Sequence, residues 1–280
     1  MDISIRNLTP GNIDVGVALL DAAYGPSRGR AAALCRYLSL DSEGWLLAFV
    51  DETPAGMLGA VDYGRFAYLG MMAVHPTMQR RGIGLLMMER VLDWLEDRGC
   101  LTTFLDATEA GVPLYSKVGF VDEELTYRFH PVGPARLEGS DRVRRIQASD
   151  IAALADLDAP VFGTRREKVL EVFLSEFPDR AFLSESQDGQ VSGYVFVQQQ
   201  NIGPWVAQTP EDAESLLVAA LSLPYDGAPR IIVPEANRSA PCLLERYGFR
   251  QQLALRRMRR GPPWQGERSQ MYGQASFVIG

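Results

Sequence analysis

Histidine and cysteine are scarce in this sequence. The two histidines, His75 and His130, are far apart, and the three cysteines, Cys35, Cys100 and Cys242, include neither a Cys-x-x-Cys pair nor a cysteine beside a histidine. Zinc sites and disulfide frameworks are built on such spacings. The sequence therefore predicts no metal site, and it predicts three free thiols that are buried like small apolar side chains.

Long apolar runs and an excess of positive charge are also missing. The longest apolar stretches, such as 216–223, are too short to cross a bilayer, and the first residues do not resemble a signal peptide. Lysine and arginine number 28 against 35 acidic residues, which gives a net charge of −7. This charge argues against a nucleic-acid partner and suits a cationic acceptor. We expect a cytoplasmic protein with no membrane partner.

The sequence contains two related halves. The segment from Leu8 to Gly25 aligns without a gap on the segment from Ile146 to Gly163, and Lys117-Val118-Gly119-Phe120 recurs as Arg246-Tyr247-Gly248-Phe249. Each half also has a pair of predicted strands around a turn. The first pair is Trp45 to Val50 and Gly56 to Tyr63, and the second pair is Ala181 to Glu185 and Val191 to Gln198. A chain of 280 residues is long enough for two domains.

The predicted domains are 1–133 and 142–280. Between them, the segment 134–141 contains proline, glycine and serine and has no periodic apolar pattern. Such a composition is typical of a linker.

A short apolar strand in the first half is followed by a glycine-rich turn and an amphipathic helix. The strand is Tyr68 to Val74, and the turn reads Gln79-Arg80-Arg81-Gly82-Ile83-Gly84. The first turn of a helix has unpaired N–H groups and the positive end of the helix dipole, and glycine lets an anion approach them closely. Because two arginines add positive charge, the turn predicts a pyrophosphate site.

Two further segments follow in an informative order. The strand Thr102-Thr103-Phe104-Leu105-Asp106 precedes Leu114-Tyr115-Ser116-Lys117-Val118-Gly119-Phe120. Together with the turn, these segments resemble in order and spacing the acetyl-CoA-binding core of the GNAT N-acetyltransferase superfamily. The resemblance covers the first half closely, is specific for the superfamily and does not specify the acceptor.

The resemblance implies both a fold and a set of site residues. The fold is α/β (α+β), with two GNAT-like domains that each have a mixed, mostly antiparallel central sheet flanked by helices. The co-substrate is acetyl-CoA, and no metal is implied. Tyr115 occupies the position of the family's usual general acid, whose hydroxyl points at the coenzyme sulfur. The residues implied to bind the coenzyme are Met72, Ala73, Val74, Gln79, Arg80, Arg81, Gly82, Ile83 and Gly84.

The general base is not specified by the sequence. Many superfamily members keep a glutamate on the strand before the glycine-rich turn, but Tyr68 to Val74 has no carboxylate. Asp62, Asp106 and Glu109 are the nearest candidates, and Asp106 ends the strand that lines the acetyl site. An aspartate there also suits a turn that binds backbone amides. A chain of water molecules is the remaining alternative.

The second half lacks the features of the coenzyme site. When Leu85-Leu86 is aligned on Leu216-Leu217, acidic or bulkier residues replace the arginines and glycines of the turn. Arg80, Arg81, Gly82 and Gly84 are opposite Glu211, Asp212, Ala213 and Ser215, and Tyr115 is opposite Leu244. Acids repel a pyrophosphate. We therefore expect the second half to be a degenerate copy that does not bind acyl-CoA there.

The sequence thus predicts an acetyl-CoA-dependent N-acetyltransferase. Its acceptor is a primary amine of a small molecule or a peptide, and its catalytic half is the first. One alternative is a non-catalytic acyl-CoA sensor or interaction protein, and another is an acyltransferase that uses a longer acyl-CoA. The sequence leaves a homodimer open.

Overall fold

The structure is a computed structural model that describes residues 2–133, 143–264 and 266–280. The chain forms two compact units. The first consists of Met1–Asp122, Met258–Pro263 and Ile279, and the second consists of Glu123–Arg257, Trp264–Val278 and Gly280. The predicted linker 134–141 lies outside the described residues, and the predicted domain boundaries stay a prediction.

The first unit is built on five consecutive strands. They are β1 (Ile3–Asn7), β2 (Trp45–Val50), β3 (Thr53–Asp62), β4 (Ala67–Val74) and β5 (Thr103–Ala107). The helices are α1 (Ile13–Tyr24), α2 (Arg30–Leu40), α3 (Ile83–Asp97) and α4 (Val112–Lys117). The strands are hydrogen-bonded in chain order, and every neighbouring pair is antiparallel except β4 and β5.

The second unit repeats this arrangement. Its strands are β7 (Val143–Arg145), β8 (Ala181–Glu185), β9 (Val191–Val197), β10 (Asn201–Ala207) and β11 (Arg230–Pro234), and its helices are α5 (Ile151–Phe162), α6 (Glu167–Glu176), α7 (Pro210–Leu221) and α8 (Ala240–Arg246). Again only the fourth and fifth of these consecutive strands, β10 and β11, are parallel to each other. The predicted fold class, a mixed and mostly antiparallel sheet flanked by helices in each copy, is confirmed.

Three further strands complete the sheets. They are β6 (Val121–Pro131), β12 (Phe249–Arg260) and β13 (Met271–Gly273). Strand β6 begins in the first unit and continues into the second, whereas β12 begins in the second unit and ends in the first. In the first unit, Thr102 Oγ1 donates a hydrogen bond of 3.0 Å to the carbonyl of Pro262, and the returning Arg260 forms an ion pair of 2.8 Å with Glu96.

Helix α3 shows how sequence pattern becomes packing. Its apolar residues recur at helical spacing and are buried in the core of the first unit, where Met258 also lies. The buried residues of α3 are Ile83, Met87, Met88, Val91, Leu92 and Leu95. Within the residues that the structure describes, no helix combines the length and the apolar character that a membrane span requires.

The core of the second unit contains an ion pair. Arg166 and Asp158 have fully buried side chains and are joined by two hydrogen bonds of 2.8 and 3.0 Å. The hydroxyl of Tyr194 donates to the same carboxylate at 2.6 Å. Buried charges are costly unless they are paired in this way, so each member depends on the others.

The prediction of three buried thiols is wrong for two of them. Cys100 is buried, but Cys35 and Cys242 are exposed on α2 and α8. Burial, followed by the charge of Asp62, raises the pKa of Cys100 to about 12, which leaves this thiol uncharged and unreactive near neutral pH.

Candidate active site

Strand β4 contains a bulge in the middle of its pairing with β3. Gly59 pairs with Gly70 and Met57 pairs with Ala73, so that β4 has one residue more than β3 between these pairs. Met71 lies in this bulge with a φ of 55°, a left-handed conformation that is rare for a bulky side chain. Bulges and retained backbone strain are both frequent beside functional sites. The end of β4 is therefore a candidate functional site.

Beyond the bulge, one edge of β4 is open. The pairing of β4 with β5 ends at Leu69. The amide of His75 donates a hydrogen bond of 2.8 Å to the carbonyl of Ala55 in β3. Because the backbone groups of successive residues point to opposite sides of a strand, those of Met72 and Val74 point away from β3. These two residues offer backbone donors and acceptors at the open edge.

Met72, Ala73 and Val74, the three β4 residues predicted to bind the coenzyme, therefore differ in the direction of their backbone groups. Ala73 pairs with Met57 of β3, so its backbone groups do not face the open edge, and its contact with the coenzyme stays a prediction. The carbonyl of Val74 accepts a hydrogen bond of 3.2 Å from Nε2 of Gln79. This bond links the open edge to the glycine-rich turn.

The glycine-rich turn has the backbone geometry of an anion site. Arg80 and Gly82 have φ values of 64° and 82°, and Gly82 is the N-cap of α3. Alternating left-handed residues point successive N–H groups into one concavity. In the described structure no side chain caps α3, so its first N–H groups remain available to a ligand.

The side chains around the turn agree with this geometry. Arg80 and Arg81 are exposed, and Arg81 donates a hydrogen bond of 3.1 Å to the carbonyl of Thr77. Ile83 is buried, so it can contribute only its backbone to a ligand. A Cβ atom on Gly84 would lie 3.2 Å from Leu114 Cδ2, which shows how closely α3 and α4 approach each other here.

Tyr115 lies in α4 and is buried. Its ring centroid is 6.1 Å from that of Phe120, and a Cβ atom on Gly111 would be only 2.8 Å from its Cε2. Burial, with a smaller contribution from Tyr24, raises the pKa of Tyr115 above its ordinary value. A phenol in this environment keeps its proton at neutral pH and can act as a donor.

Tyr24, the last residue of α1, is part of the same group and was missed by the sequence predictions. Its hydroxyl donates a short hydrogen bond to the carbonyl of Met72 at the open edge of β4. Tyr24 as a residue is nevertheless 59% exposed. Tyr24 also contributes to the raised pKa of Tyr115. A helix-terminal tyrosine has no sequence signal that distinguishes it from a surface residue.

The candidate bases lie in different places. Asp106 accepts a hydrogen bond of 2.6 Å from the hydroxyl of Tyr68, and its position in β5 directly follows the last residue paired with β4. Asp62 is at the far end of β3, opposite Ala67, and binds Arg98 at 2.9 Å. Asp62 is therefore remote from the open edge. Glu109 is exposed in the loop after β5.

Comparison with known proteins identifies the family. A sequence model described as the acetyltransferase (GNAT) family matches residues 18–120, and one described as an acetyltransferase (GNAT) domain matches residues 154–273. A solved structure from Pyrococcus horikoshii, assigned provisionally as an acetyltransferase, has a TM-score of 0.86 and 32% identity over 99% of this chain and 96% of that one. The chain belongs to the GNAT acetyltransferase family.

Curated GNAT relatives extend over most of the chain. Holothin acyltransferase of Pseudoalteromonas sp. (strain SANK 73390) is 26% identical over 251 residues, which cover 88% of this chain and 84% of the relative. The uncharacterised N-acetyltransferase YitH of Bacillus subtilis is 26% identical over 198 residues, 69% of each protein. The chain is therefore an acyltransferase of the GNAT type, as the sequence predicted.

The second GNAT unit fills the corresponding edge with its own chain. Strand β13 pairs with β10, where Trp205 is opposite Gly273 and Val206 is opposite Met271. When Leu69-Gly70 of β4 is aligned on Ile202-Gly203 of β10, Trp205 corresponds to Met72 of the first unit. The amide of Gln274 also donates a hydrogen bond of 2.7 Å to the carbonyl of Ile232 in β11. The segment thus bonds to both strands of the parallel pair.

The N-terminus of α7, the helix that follows β10 in the second GNAT unit, is capped by side chains. Thr209 is the N-cap of α7, and its side chain accepts a hydrogen bond of 3.1 Å from the amide of Asp212. The carboxylate of Asp212 in turn accepts hydrogen bonds of 2.7 Å from Thr209 Oγ1 and 2.9 Å from Ser192 Oγ. Acidic side chains in the first turn of a helix offset the positive end of its dipole. The N-terminus of α7 is therefore a poor site for an anion.

Proposed function

We propose that the first unit binds acetyl-CoA and transfers the acetyl group to a primary amine of a small molecule or a peptide. The amine attacks the thioester directly. The observation that carries this proposal is the contrast between the copies: the open edge of β4 and the uncapped start of α3 occur together in the first unit, and both are closed in the second.

The residues of the first unit fit the coenzyme. The N–H groups at the start of α3, together with Arg80 and Arg81, would hold the pyrophosphate, because positive φ at Gly82 leaves the backbone accessible. Nothing lies within 4 Å of a Cβ built on Gly82, so an anion has room there. The backbone groups of Met72 and Val74 would pair with the amides of the pantetheine arm as a neighbouring strand would.

Acetyl transfer to an amine has three requirements. The attacking nitrogen must be neutral, the carbonyl oxygen needs stabilisation of its developing charge, and the departing thiolate needs a proton. Acetyl-CoA supplies the acetyl group as a reactive thioester. A backbone N–H at the open edge, from Met72 or Val74, is suited to bind the carbonyl oxygen.

Two side chains complete the proposed chemistry. Asp106 accepts the proton that leaves the amine, directly or through water, as the nitrogen forms its bond to the acetyl carbon. Tyr115 donates its phenolic proton to the sulfur as the carbon–sulfur bond breaks, and the raised pKa of Tyr115 keeps that proton in place until then. The products are an acetamide and free CoA, and the two protonation states return to their starting point through solvent.

Calorimetric titration with acetyl-CoA tests the coenzyme half of the proposal, and we expect one site per chain. A stoichiometry of two would contradict it, as would a site that is lost on Ser215→Asp but retained on Gly82→Asp. Measurement of CoA release with a panel of primary amines tests transfer. Binding without release on any amine would favour the acyl-CoA sensor, and a preference for longer acyl-CoA would revise the acyl group.

A further inference from the structure

The proposed function leaves open what holds the acceptor, and Tyr24 has the geometry to do so. We infer that Tyr24 is the acceptor-binding residue and that it takes a primary amine in its ammonium form, with the ring face against the cation and the phenolic oxygen accepting an N–H. The bound ammonium group releases one proton to solvent before the nitrogen attacks, so the attacking amine is neutral. This inference rests on the proposed function. Nothing in the sequence pattern assigned a role to Tyr24.

The hydroxyl of Tyr24 is anchored, but its ring is free to meet a ligand. Its only proton is donated to the carbonyl of Met72, so the oxygen can only accept a hydrogen bond from anything else that approaches. An amine or ammonium group is a donor. The residue remains 59% exposed although its hydroxyl is held and burial raises the pKa of that hydroxyl. A fixed aromatic face beside a reactive centre is a common binding surface for amphipathic groups.

The second unit contains an internal precedent for a cation at this position. Phe162 is aligned with Tyr24 and also ends its helix. The guanidinium carbon of Arg166 lies 3.8 Å from the centroid of the Phe162 ring, within the range of a cation–π contact. Phe162 is only 5% exposed. The second unit thus covers this ring with its own cation, whereas the first presents the equivalent ring to solvent.

The helix end beside Tyr24 already has a cation of the protein. Tyr24 is at the C-terminal end of α1, where the guanidinium of Arg30 donates to Asp21 and, at 3.0 Å, to the carbonyl of Gly25. The chain as a whole carries a net charge of −7, which raises the local concentration of positively charged acceptors. An alkyl ammonium group therefore meets two favourable features at Tyr24: the ring face and the phenolic oxygen.

Two substitutions separate the ring from the hydroxyl. Tyr24→Phe keeps the ring, and Tyr24→Leu removes it. With n-butylamine as acceptor, we expect KM to rise about threefold in Tyr24→Phe and about tenfold in Tyr24→Leu, as expected for one hydrogen bond and for a hydrogen bond plus a cation–π contact. The Kd of acetyl-CoA should stay within about twofold of wild type. Tyr63→Phe is the matched control, because Tyr63 also donates to a backbone carbonyl, at 2.8 Å to Ile279.

A second measurement does not depend on turnover. Butyltrimethylammonium is a permanent cation without an N–H, and its binding is followed by chemical-shift titration of the full-length protein. It should bind wild type and Tyr24→Phe equally and bind Tyr24→Leu about tenfold more weakly. A merely structural Tyr24 would leave the amine KM and the titration unchanged in all variants while lowering the melting temperature, and that result would overturn the inference.

The two proposals fail in different ways. If wild type acetylates n-butylamine and the Tyr24 variants behave like Tyr63→Phe, then only the role of Tyr24 is wrong. If wild type acetylates no amine but butyltrimethylammonium binding depends on the Tyr24 ring, then the cation site stands and the transfer proposal fails. If neither transfer nor binding is observed, both are wrong.

Discussion

The hydroxyl of Tyr68 in β4 donates a hydrogen bond of 2.6 Å to the carboxylate of Asp106 in β5. The two side chains join the strands at the point where backbone pairing between them ends, after Leu69. This bond holds the carboxylate at the base of the open edge. Asp106 could thus act on the reaction itself or only through the position of the strands, and paired variants separate these roles.

We expect Asp106→Asn to lower kcat by about 10²–10⁴-fold, the usual contribution of general acid–base catalysis. The amide oxygen of this asparagine can still accept from Tyr68, whereas Tyr68→Phe removes the hydrogen bond and leaves the carboxylate, so its kcat should fall by less than about tenfold. Steady-state kinetics on one amine acceptor measure both. Equal losses in the two variants would show that Asp106 acts only through strand position.

Gly82→Asp places a carboxylate at the start of α3 and strains a residue with a φ of 82°. We expect the affinity for acetyl-CoA to fall at least about tenfold, equivalent to about 1.4 kcal/mol. We expect a similar loss of acetyl-CoA affinity in Gly84→Asp. Gly99→Asp is the control, because Gly99 has a similar φ of 76° at the other end of the same helix. Calorimetry that finds the Gly82 and Gly99 variants equally able to bind would refute the pyrophosphate assignment.

Tyr115→Phe removes one hydroxyl and little volume. If Tyr115 protonates the thiolate, kcat should fall by about 10²–10⁴-fold while the Kd of acetyl-CoA is preserved. A kcat within about threefold of wild type would show that Tyr115 contributes to packing and not to proton transfer. Leu244→Tyr in the second unit should create no activity in either case, because β13 covers the corresponding edge.

The pH dependence of turnover follows from the raised pKa of Tyr115. An ordinary tyrosine loses its proton near pH 10. Because burial moves this pKa upwards, Tyr115 should remain protonated, and kcat should show no alkaline decline between about pH 7 and 10. Over the same range kcat/KM for the amine should rise as more of it becomes neutral. An alkaline limb of kcat below about pH 9 would be incompatible with Tyr115 as the acid.

The buried ion pair of the second unit gives a stability prediction. Asp158→Asn leaves the guanidinium of Arg166 buried without its full counter-charge, and the free energy of unfolding should fall by about 3–5 kcal/mol. Replacing both residues with apolar ones, as in Asp158→Leu with Arg166→Met, should cost less than the single change. Denaturant titration of the three proteins measures this. A single variant as stable as wild type would exclude an energetic role for the pair.

Several elements of both units could be predicted because their signals are local. The bounds of β2 and β8 were predicted to the residue, and α3 follows a clear apolar stripe. The glycine-rich turn was also found where the structure has the start of α3. In each case the information lies within a few neighbouring residues, where periodicity and turn chemistry act.

The features that escaped prediction depend on distant parts of the chain. Strand β13 has only three residues and no alternating pattern, and it forms because β10 offers it an edge. The contact of Tyr24 with Met72 joins residues 48 positions apart. The exchange of β6 and β12 between the units has no local signature either. Pairing partners of this kind are set by tertiary structure rather than by propensity.

Strand β13 also makes the two units differ in how their stability depends on ligand concentration. A ligand that binds only the folded state adds stability that grows with its free concentration. If acetyl-CoA binds the first unit as proposed, the resistance of that unit to heat and proteolysis rises with the concentration of free acetyl-CoA. In the second unit β13 of the same chain occupies the corresponding edge, so we expect the resistance of that unit to be independent of this concentration.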